Sequence, residues 1–164
     1  MVRDLRQVLA SMEKKFRQNS DRHRPIENHP NLSGTTTLKR AMIHLQSPPV
    51  GLAMDRLFEI HQRGWHKKML FLRFEDLTTE PGEAMRKVYE YLGAPEFEHD
   101  FTKVEQATHE DDEVFGIPGL HEIRPKVEPY RNDYLNILGK DAVMQVQNQY
   151  GWFFNLFGYR IVPM

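Results

Sequence analysis

The chain is 164 residues long, with 22 Lys+Arg, 23 Asp+Glu and 8 His, a formal net charge of -1, and 40% hydrophobic and 27% charged residues. These values describe one globular domain able to bury most of its extended surface. They exclude a disordered chain, a bilayer-spanning segment, and the basic excess typical of nucleic-acid or membrane-surface binders. There is no cysteine, which excludes disulfides, thiolate zinc sites and cysteine nucleophiles and suits a reducing, cytoplasmic setting.

Leu5, Val8, Leu9, Met12 and Phe16 recur at helical spacing, so a helix is predicted to begin at residue 4 or 5. Asp4 is its cap, with Gln7 completing a capping-box pattern. The charges at Arg3, Asp4 and Arg6 are unlike a signal peptide. Residues 18–34 are polar, contain Pro25, Pro30 and Gly34, and read as a loop. A helix is predicted from Thr35 to Gln46, with Leu38, Met42 and Leu45 on one face. Another runs from about Val50 to Arg63 on Leu52, Leu57 and Phe58, stopped by Gly64.

Met69 to Phe74 is a nearly continuous apolar run and reads as a strand covered on both faces. Residues 75–79 form a turn, and Pro81 opens a helix on Met85, Val88, Tyr89 and Leu92 that ends at Gly93. A short helix is expected over Phe97–Val104, an acidic loop over His109–Glu113, and helices near 129–137 and 141–150. The aromatic tail from Trp152 to Tyr159 is assigned to core or interface packing.

A lone parallel strand cannot satisfy its backbone groups when both faces are buried. Val2 supplies the stub of a neighbour to Met69–Phe74. The remaining strands are expected from an upstream half or from a second chain, which makes residues 1–164 a single, incomplete α/β domain. The alternative is a mostly helical domain in which the 69–74 run starts a buried helix.

Arg3 stands at the positive end of the first helix, where a guanidinium can grip phosphate oxygens. Ser11 and Lys15 return to the same side of that helix, so the three could converge on one anion; by spacing alone an ordinary amphipathic helix with surface charges is the better account. The segment Val2-Arg3-Asp4-Leu5-Arg6-Gln7-Val8-Leu9-Ala10-Ser11 resembles the 3′-phosphate-binding segment of sulfotransferases. These enzymes use 3′-phosphoadenosine 5′-phosphosulfate (PAPS) as donor. In that family an Arg ending a strand and a Ser eight residues later hold the 3′-phosphate, and a basic residue four further on, here Lys15, is an occasional addition.

Leu70-Phe71-Leu72-Arg73-Phe74-Glu75-Asp76-Leu77, with Pro81 and Tyr91-Leu92-Gly93, is similar to the family's strand, Tyr-Glu-Asp-Leu turn and Pro-initiated helix. Phe74 stands where the family has an adenine-contacting tyrosine, so the ring is kept and the hydroxyl is lost. Gly119 to Val127 resembles a late basic segment that closes over the nucleotide, which implies donor contacts from Arg124 and Lys126.

The resemblance thus implies the C-terminal portion of a P-loop-like parallel-sheet sulfotransferase fold. Residues 1–17 are its 3′-phosphate unit and 69–93 its strand–turn–helix unit. The activity implied is sulfuryl transfer from PAPS to a small-molecule or carbohydrate hydroxyl or amine, leaving 3′,5′-adenosine bisphosphate, with no metal and no nucleic-acid partner. The family's Gly-rich phosphosulfate loop does not precede Arg3, and Ser33-Gly34-Thr35-Thr36 reads as a helix cap. No catalytic base is assigned, and little turnover is expected of the isolated chain. A catalytically silent nucleotide-binding or interaction remnant is the alternative.

Overall fold

The computed structural model describes residues 1–18, 32–108, 112, 123–129 and 133–163. The acidic loop at 109–113, apart from Asp112, lies outside them, as do most of the 18–34 loop and residues 119–122 of the late basic segment. Among the described residues the regular structure is helical. The α-helices are α1 (Leu5–Gln18), α2 (Thr37–Gln46), α3 (Val50–Gln62), α4 (Phe74–Thr79), α5 (Pro81–Leu92), α6 (Tyr134–Leu138), α7 (Lys140–Gln149) and α8 (Gly151–Leu156), with a 3-10 turn at Trp65–Lys68.

Asp4 caps α1 as its sequence predicts, with Oδ1 accepting from the Arg6 backbone N–H at 2.9 Å. The reciprocal capping-box bond is made differently. The Asp4 N–H donates not to Gln7 but to Glu75 Oε1, 71 residues away, at 3.0 Å. The cap therefore joins two distant segments instead of closing on itself. Thr36 caps α2 by accepting from the Lys39 N–H at 3.2 Å, so the Ser33–Thr36 segment leads into a helix start. Gly64 (φ 70°) and Gly93 (φ 62°) stop the segments they follow in the left-handed conformation that glycine adopts without a Cβ clash.

The 69–74 run is not a regular strand. It is irregular over residues 69–72, makes one parallel bridge, Val2 to Arg73, and turns helical at Phe74. The bridge consists of Val2 N–H to the Leu72 carbonyl at 2.8 Å and Phe74 N–H to the Val2 carbonyl at 2.7 Å. The expected neighbour relation between these segments is thus present, although only one residue pair long. The expected 75–79 turn is instead α4, whose first turn carries Glu75 and Asp76, acidic groups that suit a helix start.

The expected helix over 97–104 is also absent. Val104 N–H donates to the Pro125 carbonyl at 2.8 Å and Val127 N–H to the Phe101 carbonyl at 2.9 Å, so this segment pairs with 123–127 instead.

Helices α1, α2, α6 and α7 pack on one another, α3 lies on α2, and α8 on α7. Their shared core contains Leu5, Leu9, Ala10, Ala41, Leu45, Met54, Leu138, Val143, Val146, Phe153 and Phe154. The aromatic tail is therefore core. On α3 Gly51 and Met54 are buried and Leu57 of the predicted face packs on the core, whereas Leu52 and Phe58 of that face are exposed. Gly51 is required by proximity: a Cβ there would stand 2.8 Å from the Leu45 carbonyl oxygen and the Gln46 carbonyl carbon at the end of α2. Helices α4 and α5 pack together and join the main body through the bridge, the Glu75 bonds and the Phe71–Phe157 ring contact at 5.1 Å.

Candidate functional site

Arg3 directly follows the bridged Val2, and Phe74 directly follows the bridged Arg73. The bridge sets their spacing, and the Arg3 guanidinium lies 4.4 Å from the centre of the Phe74 ring. Two of the predicted donor-binding residues thereby meet. A guanidinium over a ring face is held by the ring quadrupole while its N–H edges stay directed outward in its own plane.

Beside this pair is a cavity of about 330 Å³, lined among others by Arg3, Gln7, Arg73, Glu75, Tyr159 and Arg160. Ser11 and Lys15 do not line it. They follow Gln7 at successive four-residue steps on α1, both half-buried, so they extend from the cavity along one helix strip for about 12 Å. Arg124 and Lys126 lie elsewhere, on the exposed 123–127 segment paired to 101–104, and line neither this cavity nor the one beside Leu70–Leu72 and α5.

The frame of the site is polar and buried, which hydrophobic periodicity does not reveal. Arg6 is 2% exposed. Its Nη2 meets Asp4 Oδ2 at 2.5 Å and its Nη1 donates to Gln147 Oε1 of α7 at 2.5 Å. The same guanidinium lies 4.5 Å from the Tyr134 ring centre and 4.7 Å from that of Phe154. Gln147 in turn exchanges bonds with Val162, accepting from its N–H at 3.0 Å and donating to its carbonyl at 3.2 Å. The start of α1 is thus fixed by the C-terminal helices.

Glu75 supplies the other fixture. Its Oε1 accepts the Asp4 N–H, and its Oε2 accepts the Tyr159 hydroxyl at 2.9 Å. Burial, then the neighbouring Glu75 carboxylate, pushes the Tyr159 phenol well above its ordinary range, and Arg73 opposes this only in part. Tyr159 stays a neutral hydrogen-bond donor throughout the physiological range. At the far end of α1, Glu13 takes Arg40 Nη2 and Arg17 Nε, each at 2.7 Å. Burial raises its pKa, but the hydrogen bonds from Arg40 and Arg17 outweigh that and hold it below the usual carboxylate value.

Sequence reasoning placed Arg3, Phe74, Ser11 and Lys15 at or beside this region. It missed Arg6, Gln147, Tyr159 and Arg160, whose partners lie across the chain. Glu75 was visible within its motif, but nothing in the sequence linked it to Asp4. Among the described residues no group of three or more His, Asp or Glu is placed to hold a metal ion.

Comparison with curated proteins and with solved structures returns no match. A family model described as the sulfotransferase domain does match, over residues 1–114. That span includes both bridged segments, Arg3, Ser11, Lys15 and Phe74, whereas Arg124 and Lys126 lie beyond it. With more than two-thirds of its length matched, and with the start of α1 and the Glu75 turn joined in one place, the chain belongs to the sulfotransferase family.

Proposed function

We propose that the chain binds the 3′,5′-adenosine bisphosphate portion of PAPS at the start of α1, as the donor-binding part of a sulfotransferase acting on a hydroxyl or amine. The observation that carries this reading is the stacking of Arg3 on Phe74 at 4.4 Å. A phosphate-gripping cation and an apolar wall for a base are held together by the bridge between their neighbours. Ser11 and Lys15 supply a hydroxyl and an ammonium further along the α1 strip. The Val2–Arg73 bridge is read as one element of a larger P-loop-like parallel sheet, and the setting as cytoplasmic.

In the reaction the acceptor oxygen or nitrogen forms a bond to sulfur as the bond from sulfur to the 5′-phosphate oxygen breaks, and the acceptor proton passes to a base. Charge spreads over the equatorial sulfuryl oxygens, so positioning and fixed positive charge dominate. The role of Arg3, Ser11, Lys15 and Phe74 is to hold the nucleotide in line for that displacement. With Thr36 engaged as a cap, the Ser33–Thr36 segment is not the phosphosulfate loop in this reading. Donor binding is therefore expected without robust turnover by the 164-residue chain.

Calorimetric titration with 3′,5′-adenosine bisphosphate tests the binding. Arg3→Ala is expected to weaken it by about 1.5–3 kcal/mol, the range for charge-assisted hydrogen bonds. Equal affinity of the variant and the parent removes Arg3 from the site. Sulfuryl transfer by the purified chain alone, at rates typical of enzymes, overturns the expectation of binding without turnover.

A further inference from the structure

We propose that Arg73 and Arg160 complete, with Arg3, a site for a phosphate monoester dianion in the cavity at the start of α1. The identification of that dianion as the nucleotide's 3′-phosphate rests on the donor-binding reading above; the anion site itself does not.

The argument begins with charge. Among the described residues the cavity is lined by the guanidiniums of Arg3, Arg6, Arg73 and Arg160 and by two carboxylates, Asp4 and Glu75. Both carboxylates are committed. Asp4 gives its two oxygens to Arg6, and Glu75 gives one oxygen to the Asp4 N–H and the other to the Tyr159 hydroxyl. Among the described residues Arg73 and Arg160 form no ion pair with an acid. Arg73 Nε is buried without a hydrogen-bond partner. Among the described residues Arg73 and Arg160 thus bring two guanidiniums with no acid partner to one small cavity. Like charges at close range repel, and a bound dianion is the ligand that matches those two charges.

Shape agrees with charge. The Arg73 guanidinium lies over the Tyr159 ring, 4.6 Å from its centre, where the ring face holds it. Tyr159 is held by its bond to Glu75 and by its N–H to the Phe154 carbonyl at 2.9 Å. Gly158, at φ 67°, turns the chain so that Tyr159 and Arg160 reach the cavity after α8. Arg160 is exposed and stands at the rim, where an incoming anion would meet it. Planar forks of this kind match tetrahedral phosphate oxygens two at a time. About 330 Å³ is room for a phosphate and part of the nucleoside carrying it.

The experiment compares 3′,5′-adenosine bisphosphate, 5′-AMP and inorganic phosphate as ligands of the full chain and of Arg160→Ala and Arg160→Lys. Arg160 is exposed, so its variants are expected to keep the parent melting temperature. The expected result is a roughly tenfold or greater loss of bisphosphate affinity in Arg160→Ala, partly restored in Arg160→Lys, with 5′-AMP binding unchanged. If the parent chain ignores the bisphosphate but binds inorganic phosphate in an Arg160-dependent way, the anion site stands and the donor reading fails. If bisphosphate binds equally to parent and Arg160→Ala, or no phosphate compound binds at all, the proposal is overturned.

Discussion

Glu75 joins three segments with one carboxylate. It receives the backbone N–H that opens α1 and the hydroxyl of Tyr159 beyond α8, while itself lying in the first turn of α4. Removing one neutral partner of a buried bond costs about 1 kcal/mol, plus the penalty of the group left unmatched. Tyr159→Phe is therefore expected to lower stability by roughly 1–2 kcal/mol, measured by denaturant unfolding, and to change its dependence on pH. The phenol ionises at higher pH in the folded chain than its ordinary value of 10.0. Folding is therefore favoured fully below that value, and stability falls as pH rises above it, where only the unfolded phenol has ionised. Tyr159→Phe should flatten this alkaline limb in melting temperatures taken from about pH 9 to about pH 11; an unaltered slope would remove Tyr159 as its source. The sequence marked Glu75 as belonging to a turn-like motif. Its actual partners were invisible because both lie at least 71 residues away.

Helices bounded by a side-chain cap, as in α2, or by proline and glycine, as in α3 and α5, were legible. Their signals are local, and local chemistry decided them. The 69–74 run was harder. Apolar continuity says that a segment is covered on both sides but not that a neighbour pairs with it over its length, and here pairing is confined to Arg73. The 97–104 segment was misread for a related reason: its partners at 125 and 127 lie more than twenty residues on, and they claim its backbone groups before a helix can. The α2–α3 junction gives the sharpest test at this scale. Gly51→Ala places a methyl group 2.8 Å from backbone atoms of Leu45 and Gln46, which cannot move as a side-chain tip can. The expected loss is about 1–3 kcal/mol in unfolding free energy. A variant as stable as the parent would show that the two helices can separate freely.

Over the whole molecule, charge is nearly balanced but unevenly placed. The chain carries -1 in total, yet among the described residues guanidiniums outnumber carboxylates two to one around the cavity at the start of α1. Arg160 is exposed there, so salt should screen the attraction felt by an approaching dianion. Bisphosphate affinity is expected to fall several-fold between about 0.05 and 0.5 M sodium chloride, with little change in melting temperature. Salt-independent affinity would point to a ligand held mainly by its base. Part of this arrangement was readable beforehand. Arg3 and Phe74 meet, and Ser11 and Lys15 share the adjoining helix strip. Arg124 and Lys126, proposed from the resemblance of their segment to a late basic segment of the family, lie on a separate exposed segment. Arg6 and Gln147 went unnoticed because buried polar residues leave no periodic trace.

The Val2–Arg73 bridge also has a practical side. Two hydrogen bonds from a single residue next to Met1 align Arg3 with Phe74. A purification tag fused ahead of Met1 would continue the very backbone that makes them, and could tug Val2 out of register or shield the neighbouring guanidinium. Material for ligand titrations is better handled through a cleavable extension at the opposite terminus. Any preparation tagged at the front should have its affinity remeasured after the tag is cut away.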